Sequence, residues 1–196
     1  KEVVEDEIDK IVEKLAKEDN RIKLYKNEKN LKIVKTLNRA LSLANGEYIA
    51  RMDGDDISLP NRVTEIVKAY RCAEKQPTSI YSVVYNMSAS GKVGDISIPP
   101  IQKLPSSPYH YATSSSLIIG AAHAWHRSLF DIFGDIEESE AFEDLVLAYR
   151  SALVDGLVYI DKPLVNYRLG VGLSESGKYD RAQSKDRKII KHKMIR

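Results

Sequence analysis

Apolar residues recur at helical spacing through the first part of the chain. The pattern predicts an amphipathic helix over residues 2–17 and a second helix over about 31–43. Short apolar stretches at 22–25 and 47–52 predict strands, and Pro60 is well placed in the first turn of a helix extending to about Lys75. Helices that alternate with strands in this order are typical of an α/β domain with parallel strands in its sheet.

The second half of the chain changes to shorter elements. Two alternating segments, 80–87 and 92–98, flank a Ser-Ala-Ser-Gly turn and predict an antiparallel hairpin. The remaining predicted elements are a loop over 98–111, a strand over 111–120, a helix over 126–133, a helix over 142–153, and strands over 157–161 and 164–169. We therefore expect an α/β fold with a mixed sheet flanked by helices and an antiparallel hairpin in the second half.

Composition is ordinary for a globular protein. The 196 residues suit one domain or one domain with a small appendage, and 43% of them are hydrophobic. No window reaches the roughly 18 apolar residues that a membrane span needs. A single cysteine, Cys72, is typical of a reducing compartment, so we expect a cytoplasmic location.

Basic residues are concentrated at the end of the chain. Residues 178–196 contain eight Lys or Arg and two Asp, whereas the net charge of the whole chain is only +2. Because the rest of the chain lacks a basic face with interleaved aromatic residues, we expect no nucleic-acid partner. The tail is either a solvated or packed end or an amphipathic helix that makes peripheral contact with the inner face of an anionic membrane.

Three carboxylates crowd into the four residues Asp53-Gly54-Asp55-Asp56, directly after a predicted strand. Open α/β sheets bind ligands at the carboxyl ends of their strands. Carboxylates this close repel each other unless a cation or hydrogen-bond donors neutralise them, and hard divalent cations such as Mg²⁺ or Mn²⁺ suit oxygen ligands. The alternative is an acidic loop in which Asp56 and Ser58 cap the next helix. The four residues alone do not separate the two interpretations.

The aspartate cluster lies in a longer run of informative residues. They are Asn38, Ala40 and Leu41, the segment Ala-Asn-Gly-Glu-Tyr-Ile-Ala-Arg-Met-Asp-Gly-Asp-Asp at 44–56, and Leu-Pro-Asn-Arg at 59–62. This run resembles the core of family 2 glycosyltransferases of the GT-A fold. In that family an Asp-x-Asp element binds a divalent metal and the ribose and diphosphate of a nucleotide sugar. The resemblance implies that Asp55 and Asp56 contact the metal and that Asp53 faces the nucleotide.

A second pair of acids, Glu143 and Asp144, begins the predicted helix over 142–153. Acids in a first helical turn also interact favourably with the helix dipole, and without context that explanation would suffice. The resembled family carries a Glu-Asp pair at this distance beyond its Asp-x-Asp element, followed by Leu and Arg. The resemblance implies that Asp144 is the general base, with Glu143 beside it, and we expect the helix N-terminus to keep Asp144 ionised.

Further residues match segments that contact substrate in the family. Gly120 and Ala121 resemble part of its donor-sugar and acceptor loop, where small residues let sugar rings approach the backbone. Trp125 either stacks on a sugar or packs in the core. Arg150 follows the Glu-Asp pair and Arg168 ends the last predicted core strand, and both are predicted to bind substrate. His123 and His126 lack a convincing set of partners for metal binding.

The resemblance implies inverting, metal-dependent sugar transfer with Mn²⁺ or Mg²⁺ as cofactor. The donor would be a nucleoside-diphosphate sugar, most simply a UDP-sugar, and the acceptor a hydroxyl of a glycan or of a lipid-linked molecule. Two alternatives stay open: a non-catalytic glycan-binding or scaffold fragment, and a nucleotidyltransferase. The second would want a Gly-rich phosphate loop with Lys or Arg at its beginning, which the sequence lacks.

The resemblance covers nearly all of residues 1–176, which we predict to be a catalytic domain followed by a basic tail at 177–196. The family normally opens with a βαβ unit that binds the nucleotide base, and we expect these strands to be missing from this chain or supplied elsewhere. Two further departures occur. Relatives often have glycine where Lys32 stands, and many have a histidine shortly after the position of Arg168.

Overall fold

The computed structural model of the protein describes residues 2–99, 107–113, 118–137 and 142–171. The chain divides into two compact units, residues 1–32 and residues 33–196. The predicted tail at 177–196 lies outside the described residues, so its helix and its boundary stay predictions. No helix in the described ranges is both long enough and apolar enough to cross a membrane.

The first unit consists mainly of helix α1, Glu2–Glu18, which confirms the helix predicted over 2–17. An ion pair of 2.8 Å between Lys26 Nζ and Asp9 Oδ2 ties the following segment back to this helix. The strand predicted over 22–25 is wrong, because these residues form no strand. Alternating residues are not sufficient for a strand, since the ladder also requires a neighbouring strand to accept and donate hydrogen bonds.

The second unit contains the sheet and the other helices. The helices are α2 (Lys32–Leu43), α3 (Arg62–Cys72), α4 (Pro108–Thr113), α5 (Ser128–Phe133) and α6 (Glu143–Leu153). The strands are β1 (Tyr48–Ala50), β2 (Ile57–Ser58), β3 (Ser79–Met87), β4 (Val93–Ser97), β5 (His123–His126) and β6 (Leu157–Arg168). A short 3₁₀-helix covers Gly120–Ala122.

The strands form one mixed sheet in the order β1-β5-β3-β6-β2, and β4 also pairs with β3. Only β3 and β6 are parallel among the described pairs, and the others are antiparallel. The predicted hairpin is confirmed as β3 and β4. The fold class predicted from the sequence, a mixed sheet flanked by helices, is therefore confirmed.

Both faces of the sheet carry a hydrophobic core. Successive residues of a strand point to opposite faces, and β5 shows this at its centre. Trp125 packs in a cluster with Val34, Leu129 and Leu147, whereas Ala124 packs on the other side in a cluster with Ile66 and Tyr70 of α3. The apolar faces of α2, α3 and α6 are thus explained by the two layers that they cover.

The region before and after Gly120 differs from its prediction. The strand expected over 111–120 is wrong, because α4 extends to Thr113 and the 3₁₀-helix begins at Gly120, with residues 114–117 outside the described ranges. The helix expected over 126–133 begins two residues later, after the central strand β5. The sequence His-Ala-Trp-His does not alternate in polarity, and its conformation is fixed by pairing with β1 and β3 on either side.

Candidate active site

Four segments meet at one end of the sheet. The aspartate loop follows β1, and the 3₁₀-helix immediately precedes β5. Because β1 and β5 are antiparallel, with Ala50 opposite Ala124, the loop and the 3₁₀-helix lie side by side. The N-terminus of α6 supplies Glu143 and Asp144, and the carboxyl end of β6 supplies Arg168. The topology therefore gathers acids that are some 90 residues apart in the sequence.

Arg51 joins two of these segments. Its Nε donates to Asp53 Oδ1 at 2.9 Å, and its Nη2 lies 2.8 Å from the same oxygen. Its Nη1 donates to Glu143 Oε1. The Arg51 and Glu143 side chains are only 14% and 8% exposed, so water screens this contact weakly. One guanidinium therefore holds an aspartate of the loop and the first acid of α6.

Asp144 lies against Gly120 and close to Arg51. A Cβ placed on Gly120 would be 3.3 Å from Arg51 Nη1 and 3.5 Å from Asp144 Cβ. Burial, together with the charge of Glu143, raises the pKa of Asp144 to about 6. The backbone N–H of Leu145 donates to Asp144 Oδ1 at 2.8 Å and opposes this shift. Desolvation therefore opposes the helix N-terminus, which we expect to keep Asp144 ionised.

Arg168 clamps the aspartate loop by donating hydrogen bonds to both Asp55 and Asp56. Asp56 Oδ1 accepts the backbone N–H of Arg168 at 2.7 Å, and the Arg168 Nε donates to the Asp55 carbonyl at 2.7 Å. Arg168 Nη1 also donates to the carbonyls of Ser88 and Ala89 in the β3–β4 turn. Helix α3 begins at Arg62 without a side-chain cap, so Asp56 does not serve as its cap residue. Arg168 acts on the loop backbone, and its binding of substrate stays a prediction.

Arg62 is a buried residue beneath the aspartate loop, with an exposed fraction of 3%. Its Nη2 donates to the carbonyls of Arg51 at 2.6 Å and Ala121 at 2.8 Å, and its Nη1 to Met52 Sδ at 2.9 Å. Burial lowers its pKa, while the charges of Asp53 and Asp56 oppose that change. Arg62 therefore fastens the loop to the 3₁₀-helix and places a positive charge near the acids.

The two predicted metal ligands, Asp55 and Asp56, both lie in the aspartate loop. Within the described ranges, no three His, Cys, Asp or Glu side chains cluster closely enough to enclose a metal ion. The buried Asp56 Oδ2 has no hydrogen-bond partner there. Burial and the neighbouring charges of Asp55 and Asp53 raise the pKa of Asp56. An unpartnered carboxylate oxygen at a site of crowded acids fits a divalent cation that takes its remaining ligands from phosphate and water.

Three predicted substrate contacts have other roles in the structure. Trp125 is fully buried and packs edge-on against Phe130, so the core-packing alternative describes it and stacking on a sugar is corrected. Ala121 is 1% exposed and contributes its carbonyl to Arg62. Arg150 donates to the backbone carbonyls of Gly134 and Asp135. These contacts direct it away from the acids of the aspartate loop and of the start of α6.

Sequence reasoning missed the parts that Arg51 and Arg62 play. Both stand inside the motif that carries the family resemblance, two residues before Asp53 and in the Leu-Pro-x-Arg element. A basic residue so close to crowded acids was the available signal. Its partner Glu143 could not be inferred, because that contact depends on how α6 docks.

Part of the chain is similar in sequence to known glycosyltransferases. Residues 4–92 match the profile described as Glycosyl transferase family 2. The chain is 34% identical over 85 residues to an uncharacterized glycosyltransferase of Methanocaldococcus jannaschii, over 43% of this chain and 29% of that protein. It is 50% identical over 48 residues to EpsE of Bacillus subtilis, which bears a provisional glycosyltransferase name, over 24% of this chain and 17% of that protein.

The fold also has a counterpart among solved structures. The S. aureus protein TarS, crystallised in complex with UDP-GlcNAc, superposes with a TM-score of 0.63 and 19% sequence identity. The match covers 87% of this chain and 48% of the crystallised TarS chain, so this chain spans about half of that one and smaller shares of the curated relatives above. At this identity the likeness concerns the fold. The sequence match to glycosyl transferase family 2 extends over residues 4–92.

Proposed function

We propose that the protein transfers a sugar from a nucleoside-diphosphate donor, a UDP-sugar, to a hydroxyl of a glycan or lipid-linked acceptor. The match of residues 4–92 to glycosyl transferase family 2 and the fold shared with a UDP-GlcNAc-bound protein support this proposal. The site supports it independently, because it combines a loop of acids suited to a cation and phosphates with a separate acid suited to a proton.

The observation that carries the proposal is the setting of Asp144. It is partly buried at the start of α6, and its pKa of about 6 lies near physiological pH. A general base works best when its pKa is close to the operating pH. At neutral pH Asp144 is mostly ionised and able to accept the proton of an acceptor hydroxyl. The step inverts the anomeric carbon, because the hydroxyl attacks opposite the leaving diphosphate in one displacement.

The remaining residues divide the binding of the donor. Asp53, held by Arg51, faces the nucleotide, and Gly120 leaves room for a sugar to approach the backbone. A Cβ on Gly54 would meet no atom within 4 Å, which leaves open space over the loop. Asp55 and Asp56 would hold Mn²⁺ or Mg²⁺, which when bound supplies positive charge that stabilises the diphosphate leaving group.

Replacing Asp144 tests the proposed base. Asp144→Asn keeps the shape but removes the ionisable group, so turnover should fall by about 10²- to 10⁴-fold while donor affinity changes little. Asp95→Asn, on the exposed strand β4, is the matched control and should leave turnover unchanged. Near-normal turnover in Asp144→Asn would remove this residue from the mechanism.

The pH dependence gives a second test of the same step. Because the acid form of Asp144 cannot accept a proton, kcat/KM should decline as pH falls through about 6. Steady-state rates measured between about pH 5 and 8 at subsaturating donor and acceptor should show that decline. A rate that stays level across this range would contradict a base with this pKa.

A further inference from the structure

The contacts of Arg51 place it between the two functions of the site. It contacts Asp53, on the donor side, through Nε and Nη2, and Glu143, next to the base, through Nη1. The backbone of Arg51 is fixed as well, because its carbonyl accepts Arg62 Nη2 at 2.6 Å. Neither the guanidinium nor the backbone carbonyl of Arg51 can move without changing a contact with another segment.

The chemistry of the guanidinium explains why arginine stands at this position. Its planar fork presents donors in fixed directions, so one side chain can bind two carboxylates at once. A lysine ammonium is a compact point charge and does not reproduce that geometry. Because the pair with Glu143 is largely shielded from water, removal of either partner leaves a charge without compensation, and such losses are strongly destabilising.

We propose that Arg51 is a positioning residue that ties the donor-binding loop to the helix that carries the base, and that its charge keeps Asp144 ionised at neutral pH. This inference rests on the proposed function, because it assigns Arg51 a part in the same reaction. Arg51 touches neither acceptor nor leaving group in this role. It acts through Asp53, Glu143 and Asp144.

The charges around Asp144 set the direction of the effect. Glu143, on the same helix, raises the pKa of Asp144, and Arg51, across the 3₁₀-helix, lowers it. Among the described residues, Tyr111 of α4 and Phe130 of α5 make hydrophobic contacts with α6, and the side-chain charges that act on Asp144 are those of Glu143 and Arg51. Loss of the Arg51 charge therefore leaves only backbone N–H groups, such as that of Leu145, to oppose the effects of burial and of Glu143 on the pKa of Asp144.

The decisive experiment compares Arg51→Met and Arg51→Lys with the parent protein in pH–rate profiles. A nearby opposite charge typically lowers a carboxyl pKa by about 1–3 units. In Arg51→Met the acid limb of the profile, where the rate declines as pH falls, should therefore move to a pH about one unit higher or more. Arg51→Lys keeps the charge and should hold the limb near the parent position while donor KM rises. Arg71→Met, at the exposed end of α3, is the control and should change neither quantity.

A merely structural role would lower the rate by the same factor at every pH, and an acid limb that stays in place in Arg51→Met would overturn the proposal. If Arg51→Met fails to fold, Gly120→Ala provides the second variant, because its added Cβ would approach Arg51 Nη1 to 3.3 Å and Asp144 Cβ to 3.5 Å. The expected result is a limb displaced in the same direction by a smaller amount, and an unmoved limb would again count against the proposal.

Asp144→Asn separates this inference from the proposed function. If Asp144→Asn abolishes turnover but the Arg51 variants keep the parent acid limb, only the role of Arg51 fails. If Asp144→Asn retains near-normal turnover, the proposed base fails and the inference fails with it.

Discussion

His123 has an unusual position for a titratable residue, and its replacement should change how stability depends on pH. The side chain is fully buried on β5, and neither ring nitrogen has a hydrogen-bond partner in the described part of the chain. Burial, with the charge of Arg51 nearby, lowers its pKa from the ordinary 6.5 to about 3. His123→Leu replaces the ring with an apolar side chain of similar volume and removes the titration.

The magnitude follows from proton linkage. Above pH 6.5 the histidine is neutral in both the folded and the unfolded protein. As pH falls below 6.5, the unfolded chain binds a proton at residue 123 that the folded protein excludes until about pH 3. Between pH 7 and about pH 4.5 this difference lowers the free energy of unfolding by about 3 kcal/mol. That is a large share of the roughly 5–15 kcal/mol that stabilises an average domain.

Urea unfolding at these two pH values, followed by circular dichroism, measures the effect in the parent protein and in His123→Leu. Other groups titrate equally in both proteins, including Asp144, whose raised pKa acts in the opposite direction, so they cancel in the comparison. The variant should be more stable at pH 7 by on the order of 1 kcal/mol, since two unpartnered buried nitrogens are removed. Its advantage should grow by about 3 kcal/mol at the lower pH. An advantage of the same size at both pH values would refute the assignment of His123 as a buried neutral group.

Four other predictions concern the backbone, the proposed cation and the tail. Lys32 has φ 59, so Lys32→Gly should stabilise the fold by about 1 kcal/mol, seen as a higher Tm. A Cβ on Gly156 would lie 2.9 Å from the Thr78 backbone nitrogen, so Gly156→Ala should lower Tm markedly, whereas Gly94→Ala, with 3.6 Å to its nearest neighbour, should be mild. In calorimetry Asp55→Ala should abolish Mn²⁺-dependent UDP binding and leave Tm nearly unchanged, and binding like that of the parent would argue against this ligand. Removal of 178–196 should reduce recovery with anionic vesicles at low salt, and equal recovery would argue against membrane contact.

The helices were easier to predict from the sequence than the strands of the sheet at whose end the site lies. Apolar residues at helical spacing predict α2 and α6, and these residues pack in the core. Strand β5 carries no such signal, because two of its four residues are histidines and all four are buried. The sequence predicts two strands where the structure has the single strand β6, because polar residues and Pro163 interrupt its apolar positions, and at this point its pairing with β3 shifts register.

The candidate site divides in the same way. The acids at 53–56 and 143–144 lie in short local motifs, so the sequence alone marks them as candidates for cation binding and proton transfer. The roles of Arg51 and Arg62 depend on contacts across 92 and 59 residues, which no local pattern specifies. Trp125 shows the reverse case: an aromatic residue beside a segment of small residues suggests stacking on a sugar, but in the structure helices α2, α5 and α6 cover it.

The clamp between Asp56 and Arg168 gives the end of β6 a mechanical importance. The N–H that Asp56 accepts belongs to the last residue of that strand. Tension or binding applied to the chain after Arg168 would therefore act on backbone that is bonded directly to the aspartate loop. A force at the end of β6 would reach the proposed cation ligands through this hydrogen bond, without passing through the hydrophobic core.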